Sequence, residues 1–66
     1  ENQKKLSAKA LGLGYLEENM LEEAEVQFKI LIELAPEEPS GYTNLGIVYL
    51  RMGNYADSEK NLLKAK

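Results

Sequence analysis

The 66-residue sequence predicts an all-α chain of antiparallel helix-turn-helix repeats, four helices in two hairpins. Three observations predict it. Apolar residues recur at helical spacing across four stretches of roughly 12–16 residues. Three breaks separate those stretches: Asn19, the run Pro36-Glu37-Glu38-Pro39-Ser40-Gly41, and Gly53-Asn54. The chain also matches itself when it is shifted so that Leu11 falls on Leu45. Few β-branched residues occur and no stretch alternates strictly, which argues against strands.

The first stretch, about 4–18, sets Ala8, Leu11, Gly12 and Tyr15 on one face. Asn19 suits the left-handed residue that ends a helix. The second stretch, about 21–35, sets Leu21, Ala24, Phe28, Leu31 and Ala35 on one face, with Glu22, Glu23 and Glu25 favourably placed near its start. Val26 and Ile30 lie elsewhere on the same stretch. They read either as the broad stripe of a helix sandwiched between two others, or as a back-face partner patch. The third stretch, about 40–52, repeats the first with Tyr42, Leu45, Gly46 and Tyr49, and Pro39 suits its first turn because the missing N–H costs little there. Gly53 suits a left-handed end like that of Asn19. Asn54 can then cap the fourth stretch, about 55–66, which carries Tyr55, Ser58, Leu62 and Ala65 with Asp57 in its first turn and Lys64 and Lys66 near its end.

Composition removes whole classes of function. There is no cysteine and no histidine, so disulfide staples, thiolate metal sites and imidazole catalysis are all excluded. The formal charge of −3 argues against a phosphate-neutralising surface and against nucleic acid as a partner. That charge is uneven: Lys4, Lys5 and Lys9 face only Glu1 in residues 1–16, whereas residues 17–38 hold eight acids against Lys29. Helix-end bias on solvated faces accounts for this; a basic groove beside an acidic back is the functional alternative. No apolar run approaches the roughly 20 residues of a membrane span, and no signal peptide is visible, so no membrane partner is expected. The expectation is a soluble chain, with the cytoplasm as its default compartment.

The internal match is concentrated where helices would meet. In that register Leu11-Gly12 falls on Leu45-Gly46, Tyr15-Leu16 on Tyr49-Leu50, and Glu25 on Glu59; Phe28 falls on Leu62 and Asn19 on Gly53. A glycine inside a helix costs about 1 kcal/mol relative to alanine. Its recurrence as Gly12 and Gly46 predicts that a partner helix approaches the backbone closely at both places. Gly14 adds a third glycine, in Leu11-Gly12-Leu13-Gly14-Tyr15. No strand precedes it and the run lacks the last glycine of a dinucleotide fingerprint, so close helix packing is expected there too.

With these residues in place the chain resembles two tetratricopeptide (TPR) repeats. The family pattern W-x2-L-G-x2-Y…A-x3-F…P reads here as Ala8-x2-Leu11-Gly12-x2-Tyr15, Ala24-x3-Phe28 and Pro36, and again as Tyr42-x2-Leu45-Gly46-x2-Tyr49 with Ser58-x3-Leu62. Ala8 replaces the large aromatic, and Ser58 and Leu62 replace Ala and Phe. The resemblance covers nearly the whole chain, and the step from Leu11 to Leu45 is the family's period. It implies a fragment of a TPR-type right-handed α-solenoid, a single domain over 1–66 with one repeat at about 5–38 and a second, incomplete one at about 39–66. Each such hairpin cannot bury its own apolar face alone, and about three repeats are usually needed for stability. A fragment of a longer array is therefore expected, or self-association through exposed terminal helices, with Leu62 and Leu63 left uncovered at the open end.

Function follows from the faces that hairpin packing does not use. At 100° per residue, Leu6, Lys9, Leu13 and Leu16 lie about 110° from the seam, and Ser40, Thr43, Ile47 and Leu50 repeat this on the third stretch. The resemblance implies that such faces of successive first helices line a concave groove for an extended peptide or a partner helix. It makes Lys9, Leu13, Leu16, Thr43, Asn44, Ile47, Leu50 and Arg51 the candidate groove residues. Some family members clamp a peptide carboxylate with a lysine, an asparagine four residues on, and an asparagine of the next repeat. Lys9 and Asn44 fit two of those places, but Leu13 occupies the other. Docking of an apolar peptide or helix is therefore favoured over the clamp.

No catalytic, cofactor or metal site is expected. Ser7, Ser40 and Ser58 have no evident base, and the adjacent acids Glu22-Glu23 and Glu37-Glu38 lack the spacing of a calcium loop. The expectation is a scaffold with a protein or peptide partner. The alternative is a structural or self-assembly module whose open ends stack or swap with further copies.

Overall fold

The computed structural model describes residues 2–65. Four helices account for its regular structure: α1 (Asn2–Glu17), α2 (Leu21–Leu34), α3 (Pro39–Met52) and α4 (Tyr55–Lys64). The bounds lie close to those the spacing predicts; the expected extension of the last helix to Lys66 lies outside the described residues.

The two hairpin turns are the same device used twice. Asn19 holds φ 61° and Gly53 φ 84°, both left-handed. At the first, the Asn19 N–H donates to the Leu16 carbonyl (3.0 Å) and the Met20 N–H to that of Tyr15 (2.8 Å). At the second, Gly53 donates to Leu50 (3.1 Å) and Asn54 to Tyr49 (2.9 Å). This Schellman pairing satisfies carbonyls that a helix end otherwise leaves open. Asn54 then starts α4, its side chain accepting from the Asp57 N–H (3.5 Å) and donating to the Asp57 carboxylate (2.7 Å). Pro39 occupies the first turn of α3.

Helices α2 and α3 are the inner elements. Helix α2 packs on α1 and on α3, α4 packs on α3, and α1 and α3 touch lightly. The result is a slab of 32 × 26 × 13 Å, little thicker than one helix with its side chains. So thin a body can enclose only a narrow core, formed by Ala8, Leu16, Ala24, Phe28, Leu31, Leu45, Val48 and Tyr49.

Both hairpin seams are closed over a glycine. A Cβ at Gly12 would stand 2.6 Å from the Phe28 ring, and one at Gly46 would stand 2.7 Å from the Leu62 side chain. Phe28 and Leu62 are themselves counterparts in the internal match, so the repeat seen in the sequence is a repeat of packing. Ser58 is buried in the second seam and donates its hydroxyl to the Gly46 carbonyl (2.8 Å).

Four expectations are corrected. Gly14 does not mediate close packing: a Cβ there would meet nothing within 4 Å. The glycine that does is Gly41, buried against Ile32 and Leu31 at the α2–α3 crossing. Leu11 and Tyr55, placed on seam faces by spacing, are exposed, because α1 and α4 are the outer helices of the slab. Val26 and Ile30 also stay exposed, so α2 does not bury a broad stripe. Its buried residues, Ala24, Phe28 and Leu31, form a narrow one that serves both neighbours.

Candidate functional site

Two shallow clefts contain four of the eight candidate residues. The first, about 490 Å³, is lined by Ala10, Leu13, Gly14, Leu16 and Glu17 of α1 and by Arg51 of α3. It lies between two helices that barely meet, and Gly14 contributes no side chain to it. The counterpart of Gly14 in the second repeat is Val48, which is fully buried. Leu13 is exposed on the wall. Leu16 is not exposed: it is buried in the core, and its backbone carbonyl accepts a hydrogen bond from Arg51 Nη1 (2.9 Å). That bond fixes the guanidinium against α1, and Glu17 of α1 lines the same cleft.

Of the eight groove residues expected, the structure brings Leu13, Leu16 and Arg51 together. Lys9 is exposed on α1, and Thr43, Asn44 and Ile47 are half-buried on α3; none of these four lines this cleft. Ile47 packs against the core. Leu50 turns to the opposite end of the slab. There it joins Tyr55, Ser58, Glu59, Leu62 and Leu63 around a second cleft of about 410 Å³. Spacing alone missed Ala10, Gly14 and Glu17. The signal that could have found Gly14 was its alignment with a valine inside an otherwise apolar repeat position.

Polar chemistry is sparse and mostly structural. The Tyr49 hydroxyl donates to Glu25 Oε2 (2.7 Å), and the same carboxylate pairs with Lys29 (3.2 Å). Burial, then the hydrogen bond to Glu25, holds the Tyr49 phenol above its ordinary value of 10.0. The Lys5 ammonium donates to Glu38 Oε2 (2.7 Å), tying α1 to the α2–α3 connection, and this bond raises the Lys5 pKa. The buried Ser40 Oγ has no hydrogen-bond partner among the described residues, and no base stands ready to activate it. Among the described residues no group of three or more acids is placed to hold a metal ion. Nor, among those residues, is any helix long and apolar enough to cross a membrane.

The Tyr49 environment predicts a pH dependence. In the folded chain the phenol keeps its proton above pH 10, whereas in the unfolded chain it ionises near the ordinary value. The folded state therefore binds more protons there, and its advantage is complete below about pH 10 and is lost as pH rises towards the folded pKa. Tyr49→Phe is expected to be less stable than the native chain at pH 7 by about 1 kcal/mol, the usual worth of such a bond. The two urea midpoints should keep their separation below about pH 10 and converge as pH rises beyond it. A gap that stays constant above about pH 10 would show that the phenol is unperturbed.

No family model, curated protein or solved structure matches this chain.

Proposed function

We propose that the chain is a non-catalytic protein-interaction module of TPR type that holds an apolar segment of a peptide or partner helix against the α1/α3 face. The observation that carries this reading is the cleft at Gly14. The fold leaves a gap there between two first helices, lined by Leu13 and Leu16 and by the opposite charges Glu17 and Arg51. An aliphatic or aromatic side chain fits the apolar lining, and polar groups beside it meet the two charges. Three of the expected groove residues contribute, and no catalytic group is needed.

Panning a random dodecapeptide library on the whole chain tests this. Enriched peptides should share an apolar anchor and should bind the Leu13→Glu chain at least about tenfold more weakly. Leu13 is exposed, so the variant should keep its helical circular dichroism and melting midpoint. If no peptide is enriched, or if Leu13→Glu leaves the enriched peptides bound, the reading is wrong. A second reading, assembly through the open end, is favoured by the second cleft, where large apolar side chains stand uncovered.

A further inference from the structure

We infer that the outward stripe of α2, Val26, Ile30 and Leu34 with Glu22 and Glu33 along one edge, docks an amphipathic α-helix of a partner protein whose apolar face is edged by arginines or lysines on one side. This face lies outside the Gly14 cleft, and the inference stands or falls independently of the peptide reading.

The stripe is apolar where nothing inside the molecule asks for it. Val26 is 54% exposed, Ile30 38% and Leu34 38%. Among the described residues, exposed large apolar side chains stand four residues apart only here, and do so twice in succession. That spacing aligns them on one side of the helix over about 12 Å, the kind of ridge along which a second helix packs. Helix α2 meets its own neighbours through other residues, chiefly Ala24, Phe28 and Leu31. In the internal match the places of Val26 and Ile30 are held by Lys60 and Lys64, so a solvated residue suits both.

Continuation of the fold does not cover the stripe. Helices α2 and α4 do not pack on each other. Lys60 and Lys64 are exposed although the first hairpin is stacked beside the second. A hairpin stacked ahead of α1 in the same way would stand to α2 as α2 stands to α4, and Val26 and Ile30 would remain open to solvent.

Charge chooses the occupant. At 100° per residue, Glu22, Glu33, Val26 and Ile30 fall within about 80° of one another, with the two acids on one edge. Glu23 stands across the stripe at its start. None of these three acids takes part in an ion pair among the described residues. Lys29, the base of this helix, is engaged by Glu25 (3.2 Å). The opposite edge adjoins a cleft of about 430 Å³ in which Ile30 and Leu34 meet Lys4 of α1. The stripe is thus acidic along one edge, with a cation at the far end of the other.

A second copy of this chain is the poorer occupant. No other described helix exposes the same apolar spacing, and α2 laid against another α2 sets Glu22 and Glu33 against like charges. An anionic membrane or a nucleic acid meets the same repulsion. Glu22 and Glu33 are separated by about 16 Å along the axis. A helix with aliphatic residues at four-residue spacing, and bases about eleven residues apart along one edge, therefore satisfies both the ridge and the acids.

The probe is a lactam-bridged helical peptide with leucines at three such places and arginines about eleven residues apart on one edge, titrated into the whole chain. Saturable binding below about 1 mM is expected, with amide shifts centred on Val26 and Ile30. Val26→Lys should weaken it at least about tenfold. That change copies Lys60 on α4, so the variant should fold; Ile30→Lys, which copies Lys64, repeats the test. Moving both arginines to the opposite edge should cost the peptide at least about fivefold. The preference should vanish on a chain carrying both Glu22→Gln and Glu33→Gln, and should shrink in about 0.5 M salt. Leu13→Glu should leave binding intact, which separates this face from the Gly14 cleft. The inference is overturned by no saturation up to about 1 mM, by indifference to both lysine variants, by equal binding of the edge-swapped peptide, by loss of binding in Leu13→Glu, or by self-association of the chain that Val26→Lys abolishes.

Discussion

Replacing Phe28 with alanine is expected to leave the chain largely unfolded at 25 °C. The ring is fully buried and lies directly on Gly12, in the seam between α1 and α2. It also belongs to the cluster that receives α3, so one side chain joins three of the four helices. Truncating a buried phenylalanine costs about 3–5 kcal/mol through lost transfer energy and the cavity left behind. A 66-residue domain holds roughly 3–10 kcal/mol in all. The cavity cannot collapse cheaply, because the wall opposite is glycine backbone inside a hydrogen-bonded helix. Phe28→Leu is the informative control. The second hairpin already closes over its glycine with a leucine, Leu62, so leucine fits this architecture, and the swap should cost under about 1.5 kcal/mol. Urea titrations followed by circular dichroism at 222 nm read both. An alanine variant with a native-like midpoint would show that the two helices of the first hairpin are held together elsewhere.

The same residue shows what the sequence could and could not reveal. Phe28 and Gly12 were legible because a helical glycine is costly, and two of them at matching places in successive hairpins, each paired with a large apolar residue, have one economical explanation. Asn19 and Gly53 were legible for a similar reason: few residues accept a positive φ, and both stand at the end of an apolar period. Periodicity reports which face of a helix a residue occupies, not whether anything lies on that face. Leu16 and Leu50 have the same identity, the same repeat position and the same helical phase, yet one is core and the other is half exposed. The difference is α3, which covers one and has no counterpart over the other among the described residues. Val26, Ile30 and Leu11 were unreadable for the same reason. The candidate groove was legible as a pair of helix faces but not as a cleft. A cleft is space, and this one lies where α1 and α3 barely meet and Gly14 carries no side chain.

That absence separates two glycines of one helix by sign. Gly12→Ala is expected to destabilise the chain by about 1–2 kcal/mol, while Gly14→Ala stabilises it by about 0.5–1 kcal/mol. Each substitution gains the same helix propensity, about 1 kcal/mol, because alanine removes backbone freedom from the unfolded chain. At Gly14 nothing opposes that gain, since the new methyl points into the open cleft. At Gly12 the methyl would stand 2.6, 2.7 and 3.0 Å from three carbons of a Phe28 ring that is itself fully buried. The ring is fully buried, so α1 and α2 must separate, and overpacking here falls in the upper part of the usual range, about 2–3 kcal/mol against a propensity gain of about 1 kcal/mol. Gly46→Ala should fall between them. The flexible, partly exposed Leu62 side chain can yield, but the Ser58 carbonyl oxygen at 3.3 Å is backbone and cannot. The cause is checked by Phe28→Leu in the Gly12→Ala background: the smaller side chain makes room for the methyl, so the pair should be more stable than the sum of its separate effects. Strict additivity, or a shared sign for Gly12→Ala and Gly14→Ala, would mean that the seam is not closed by ring against backbone. Gly14→Ala also narrows the cleft between α1 and α3, so a gain in stability accompanied by weaker binding of the enriched peptides would place the ligand's apolar anchor at that gap.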